Sequence, residues 1–442
     1  MKPNLFLYAL VAALGGFLFG FDTAVINGAL PFFSEYFQLD ETMKGWAVSS
    51  AIIGCIIGAI AIGRPGDKYG RRQMLKVMGI LFLLSAIGSG LANNIYTFIV
   101  FRIIGGLAVG GASVLSPMYI SEIAPAKFRG RLTITFQLAI VIGILVAFAS
   151  DLAMIDVGEN NWRWMFLAEG IPAAAFYFLL FFVGRSPRWL VKNGHYEEAK
   201  RVIDKVNPNA NSDQLVQEIS QSIDSKVVDH FKYLFKKPYL RLVIIGIFIG
   251  MFNQFTGISV VMIYSSEIFR AANFPTDSAI LQTVLVGFTN LAFTLIALSL
   301  IDKIGRKLML LIGSVGMTVF LGLFGWLFMG EIYGYMPLIF MICFVAFFAF
   351  SQGAVVWVLF SEMFPNNIRA RGSSIGSFSH WIFYSLITFL FPIIKESFIN
   401  EKGIGYIFIF FAIMTAISYF FFQKYIVETK GKTLEQVEKD II

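Results

Sequence analysis

The chain has 442 residues, 57% of them hydrophobic and only 14% charged, with a formal net charge of +7 and a mean hydropathy of +0.73. A soluble globular protein is excluded by that apolarity, since each uninterrupted apolar run of about 18 residues or more is long enough to cross a bilayer. The basic excess falls in short loops between the apolar runs, where it acts as a topology signal, so nucleic acid is not implied as a partner.

The first run opens at Leu5 and contains GGFLFGFDTAVING, residues 15 to 28, with one carboxylate, Asp22, inside it. An Asp at the centre of a membrane helix costs about 2.5 to 3.5 kcal/mol, so a carboxylate kept there is read as functional; the alternative is a helix-end group reaching the headgroups. The run continues past signal-peptide length with no evident cleavage site and is expected to be the first span. Further apolar segments fall near 46 to 63, 74 to 92, 96 to 120, 132 to 151 and 163 to 183, and the first extends to about 30. After a polar stretch at 184 to 238, a second set lies near 239 to 265, 279 to 301, 308 to 329, 336 to 360, 373 to 394 and 404 to 424. Twelve spans are therefore expected.

The loops with Arg64, Lys68, Arg71, Arg72 and Lys76, with Lys127, Arg129 and Arg131, and with Lys303, Arg306 and Lys307 are strongly basic. The positive-inside rule makes them cytoplasmic and places both termini on that side. The central stretch alternates apolar and charged residues at helical spacing, so short amphipathic cytoplasmic helices are expected, with Asn211 and Gln214 forming a capping box. His195 and His230 read as solvated surface residues. Cys55 and Cys343 both lie in apolar segments and make neither a disulfide framework nor a metal pattern.

An internal repeat ties the halves together. DKYGRR at 67 to 72 returns as DKIGRK at 302 to 307, and SEIAPAKFRGR at 121 to 131 returns as SEMFPNNIRAR at 361 to 371. The expected fold is an all-α membrane protein of twelve transmembrane helices in two pseudo-symmetric six-helix bundles, a frame for alternating access. The expected boundaries are 1–183 for the first bundle, 184–238 for a helical linker, 239–425 for the second bundle and 426–442 for a tail. Glu122 with Arg129 and Glu362 with Arg369, beside Asp67/Arg71 and Asp302/Arg306, form candidate charge clusters for cytoplasmic gating. Static anchoring by surface ion pairs, worth about 0 to 1 kcal/mol each, is the other reading.

These motifs, with FRIIGGLAVGGASVLSPMYISEIAPAKFRGR, GRSPRWL, NQFTGIS and VETKGKTLEQVE, resemble the sugar porter branch of the major facilitator superfamily over nearly the whole chain. The similarity extends to its bacterial proton-coupled, xylose-type symporters. Two motifs depart from the family: Gly184 and Arg185 occupy the Pro-Glu of PESPR, and Val427 the Pro of PETKG. Proton-coupled members carry Asp at the position of Asp22 and passive carriers an amide, so the resemblance implies a symporter. Helix geometry adds a partner: Asp22 lies about 13 Å below Pro31 and Arg102 about 9 Å below Tyr96, similar depths in spans one and four. Arg102 could instead snorkel to the outer surface.

The resemblance also implies a sugar site at Gln137, Asn253, Gln254, Asn290, Trp357, His380 and Trp381. Amides in apolar spans can instead bridge helices, at about 0.6 kcal/mol each. Asn253 stands where the family has Gln, Ser259 where Asn is usual, His380 where Gln or Asn is common, and Ala354 where Pro is common. His380 can bond a sugar, titrate near neutral pH or bridge helices.

The expected function is import of a monosaccharide, hexose or pentose, with a proton as coupling ion and no other cofactor, by a monomer in the inner membrane. A facilitative carrier and a non-transporting sugar sensor are the alternatives. An enzyme is not expected, since no nucleophile triad, metal cluster or phosphate-binding loop is present in the sequence.

Overall fold

The computed structural model describes residues 3–125, 129–208, 211–224, 234, 237, 239–364, 369–398 and 402–430. The side chains of Arg129 and Arg369, His230 and the tail beyond 430 lie outside the described residues. The chain divides into two compact units, Met1–Phe37 with Ser50–Val227, and Gln38–Ser49 with Val228–Ile442. The central helices thus cluster with the first unit, and the first turns of the second span with the second.

Helices in chain order are α1 Pro3–Tyr36, α2 Glu41–Ala61, α3 Gly63–Tyr69, α4 Arg71–Gly90, α5 Ile95–Ile123, α6 Arg129–Met154, α7 Asn161–Ala168 and α8 Gly170–Leu179. The short helices α9 Pro187–Lys192, α10 Tyr196–Val206 and α11 Ser212–Asp224 follow. The second unit contains α12 Tyr239–Phe255, α13 Ile258–Ala271, α14 Thr276–Ile304, α15 Arg306–Met329, α16 Met336–Phe348, α17 Ala354–Glu362, α18 Arg369–Glu396 and α19 Lys402–Tyr425. A π-turn, Ala349–Gly353, joins α16 to α17.

Eleven stretches among the described residues are long and apolar enough to cross a membrane. The sixth expected span is the tandem α7–α8, divided at Glu169. Pro172 contributes no amide to the ladder there and so loosens the turn. The first basic loop is largely helical, forming α3 and the first turn of α4.

Local signals account for several helix starts. Asn94 accepts from the Thr97 amide at 2.8 Å, and Ser186 accepts from the Trp189 amide at 3.2 Å with Pro187 at the first helical position, both favoured N-terminal arrangements. Asn211 accepts from the Asp213 and Gln214 amides at 3.1 Å. The expected capping box is only half formed, because the Gln214 side chain donates to Glu218 at 3.0 Å instead of turning back.

Small residues set a close helix crossing in the first unit. A Cβ on Gly20 would lie 2.0 Å from the Ile140 carbonyl oxygen, and one on Gly143 would lie 2.1 Å from that of Phe17. The backbones of α1 and α6 approach this closely because Gly20 and Gly143 carry no side chain, as is general in membrane helix packing. In the second unit Ile249, Phe252, Leu359, Phe360 and Phe422 belong to one buried cluster that ties α12, α17 and α19 together.

Candidate functional site

The first unit holds a buried ion pair. Arg102 on α5 donates from Nη1 to Asp22 Oδ1 at 2.7 Å and from Nη2 to the Asp22 carbonyl at 2.9 Å. Both residues are 1% exposed. The guanidinium also lies 5.4 Å from the centre of the Phe166 ring. Arg102 therefore does not snorkel; it turns inward to α1. The crossing leaves room because Gly105 has no side chain, and a Cβ there would lie 3.1 Å from Asp22 Oδ1.

A second carboxyl belongs to this site. Glu169, at the α7–α8 junction, is 0% exposed, and among the described residues no nitrogen donor reaches either of its oxygens. Its carboxyl interacts electrostatically with both Asp22 and Arg102. Its sequence signal is the same as that of Asp22, an ionisable residue in an apolar span, yet Glu169 is not among the expected site residues. A third buried carboxyl, Asp151 on α6, accepts the Gly28 amide of α1 at 3.2 Å.

The second unit holds an amide and aromatic cluster. The chain unwinds after Phe255, where Gly257 adopts φ +82°. Around this break Gln254 Nε2 donates to Asn253 Oδ1 at 3.3 Å and lies 3.2 Å from both ring nitrogens of His380. Asn253 Nδ2 donates to Gln352 Oε1 at 3.4 Å. His380 stands between Trp357 and Trp381, at 5.0 and 5.5 Å between ring centres, and Trp381 stacks on Tyr384 at 5.8 Å. Five of the expected residues, Asn253, Gln254, Trp357, His380 and Trp381, thus form one constellation.

Gln352 was not expected there. It sits in the π-turn, fully buried, with an amide nitrogen that has no partner among the described residues. The extra residue in such a turn re-aims the side chains around it and is frequent at functional sites. Span ten therefore changes its winding here, directly before Ala354. Asn290 is buried on α14, Ser259 Oγ has no partner among the described residues, and Gln137 is half-buried on α6 of the first unit.

The basic end of each unit carries the same network. In the first, Arg71 pairs with Asp67 at 2.9 Å and Glu122 at 3.1 Å, and Ser186 Oγ donates to Glu122 Oε2 at 2.5 Å. In the second, Arg306 pairs with Asp302 at 2.9 Å and Glu362 at 3.1 Å, and Thr429 Oγ1 donates to Glu362 Oε2 at 2.6 Å. The altered VETKG motif still docks: Glu428 accepts from the amides of Arg306 and Lys307, both at 3.0 Å.

Two repeat-related helical units, one with a buried carboxylate and guanidinium pair and the other with an amide and aromatic cluster, define a polytopic membrane carrier. The family model for "Sugar (and other) transporter" matches residues 8–441, and the chain belongs to that family. It is 37% identical to the D-xylose-proton symporter of Escherichia coli (strain K12), over 98% of this chain and 95% of that protein. It is 40% identical to the glucose transport protein of Synechocystis sp., over 97% and 95%. Among solved structures it is similar to the inward open conformation of the xylose transporter XylE from E. coli, with a TM-score of 0.87, 36% identity and coverage of 99% and 100%. The proton:xylose symporter XylE bound to 6-bromo-6-deoxy-D-glucose, a major facilitator protein, matches with a TM-score of 0.81 at 37% identity, covering 99% of each chain.

Proposed function

We propose that this protein imports a monosaccharide, pentose or hexose, together with a proton by alternating access in the inner membrane. The observation that carries the reading is the buried Asp22–Arg102 pair with Glu169 against it. One guanidinium faces two carboxyl groups, and the charge balance among the three is what a bound proton would change. A change of conformation that moves Arg102 or admits water shifts that balance, which is how a cycle loads and releases a proton. One charge crossing 100 mV is worth about 2.3 kcal/mol, which corresponds to a sugar gradient of roughly fifty-fold under tight coupling.

The constellation of Asn253, Gln254, Gln352 and His380 supplies donors and acceptors for hydroxyl groups, and Trp357 with Trp381 an apolar face for the C–H surface of a sugar. Among the described residues no carboxylate contacts the His380 ring, so hydrogen bonding to substrate is the better reading of it than proton carrying. Relatives named as D-xylose-proton and arabinose-proton symporters support proton coupling. The basic loops support cytoplasmic termini, and a monomer is sufficient because each unit carries its own part of the machinery.

The deciding experiment uses Asp22→Asn in proteoliposomes with labelled xylose, arabinose and glucose. Exchange of the transported sugar should survive while uptake driven by an imposed pH gradient disappears. Gradient-driven uptake that persists in this variant removes Asp22 from coupling, and its absence from the unaltered protein makes the chain a facilitative carrier.

A further inference from the structure

The two units use one design at their basic ends, and one position breaks it. Arg71, Glu122 and Ser186 in the first unit match Arg306, Glu362 and Thr429 in the second, contact for contact. Arg185, one residue before Ser186, therefore holds the place of Glu428, one residue before Thr429. Glu428 caps α15 by accepting from its first two amides. At α4 a cation stands where that carboxylate would be, and the N-cap residue, Gly70, has no side chain with which to accept from the first amides.

The place is not filled by protein. A cavity of about 250 Å³ opens at the amino end of α4, lined by Gly70, Arg71, Arg72, Lys76, Arg185 and Trp189 among others. Of its four cations, only Arg71 is closely balanced by carboxylates. Arg185 reaches Glu198 at 3.8 Å, with both side chains well exposed. Arg72 donates to the Leu180 and Phe181 carbonyls at 2.9 and 3.4 Å, which hold it in position without cancelling its charge. Lys76 is only 8% exposed, lines the cavity and lies 3.3 Å from the centre of the Phe181 ring, with no carboxylate partner among the described residues. An ammonium without a carboxylate partner, grouped with Arg72 and Arg185 beside a helix amino end, favours an anion.

We propose that this cavity is an oxyanion site that binds a phosphate group, from a soluble phosphate or a lipid headgroup, in the place Glu428 fills in the second unit. Arg72, Lys76 and Arg185 supply the charge, and the amides of α4 supply directed donors, the usual combination for phosphate. A bound phosphate then fastens the α3–α4 turn to the segment before α9, as Glu428 fastens α15 to the end of the chain.

Thermal unfolding of the purified full-length protein in neutral detergent tests this, with inorganic phosphate titrated against chloride at matched ionic strength. Phosphate should raise the unfolding midpoint saturably. Lys76→Gln should weaken the effect, and Arg185→Glu should abolish it while raising the midpoint in chloride, because the new carboxylate caps α4. If Arg185→Glu does not fold, Arg185→Gln should still weaken the phosphate effect. A second arm compares phosphatidylcholine nanodiscs with discs containing phosphatidylglycerol. A higher midpoint in the anionic discs, lost in the Arg185 variant, makes a lipid headgroup the source; a response to phosphate alone makes it a soluble phosphate. The proposal is overturned if neither probe shifts the unaltered protein, or if the Arg185 variants respond as it does.

Discussion

Asp22 and Arg102 illustrate how much one buried pair decides. Removing one member of such a pair strands the other charge, at a cost of about 3 to 5 kcal/mol, whereas removing both costs far less. Arg102→Leu should therefore lower the unfolding midpoint sharply, and adding Asp22→Asn should restore most of it; a double variant as unstable as the single one would contradict the pairing. Gln352 makes a different kind of contribution if it binds sugar, since its amide nitrogen has no partner among the described residues. Losing one such hydrogen bond is worth about 0.5 to 1.5 kcal/mol, so Gln352→Leu should raise the KM for sugar about 2- to 10-fold. The pH dependence of transport should stay as it is, because Gln352 does not titrate; initial-rate uptake across pH measures both quantities.

Helices α7–α8, α12–α13 and α16–α17 are each one span in two pieces, and the interruptions lie at the buried polar clusters. Glu169 sits at the first, Asn253 and Gln254 border the second, and Gln352 lies within the third. A break frees side chains and backbone groups that a continuous helix would occupy, and membrane carriers tolerate it only where protein or a cavity receives those groups. Gly257 makes the second break possible: φ is +82°, and a Cβ there would lie 2.3 Å from Phe411. Gly257→Ala combines backbone strain with that clash and should cost about 1 to 3 kcal/mol, read as a lower unfolding midpoint together with weakened sugar binding. An unaltered midpoint would mean that α13 can start without the left-handed residue.

The two units repeat each other's basic-end network, but not its burial. Side chains of the Arg71–Glu122 pair are 10% and 8% exposed, whereas those of Arg306–Glu362 are 12% and 24% exposed. Solvent screens the second pair more, so Glu122→Gln should cost about 1.5 to 3 kcal/mol and Glu362→Gln less. Equal losses in thermal unfolding would show that exposure does not separate them. If the clusters gate transport, both variants should also change the sugar exchange rate; a change in stability alone would leave them as static anchors.

The sequence by itself determined the membrane class, the twelve spans, the internal repeat and the two residues of the ion pair. Each of these follows from hydropathy, spacing or helical rise, which are properties of neighbouring residues. Tertiary structure decided which groups meet. Asp22 and Arg102 stand 80 residues apart and Glu428 and Arg306 stand 122 apart, and rise per residue gives depth in the membrane but not the face a side chain presents. That is why Asp22 and Arg102 were matched by depth, while Glu169 beside them went unnoticed. It is also why Arg185 read only as a departure from a motif. Its meaning depends on Ser186 reaching Glu122 and on Thr429 reaching Glu362, which place it where the other unit keeps a carboxylate.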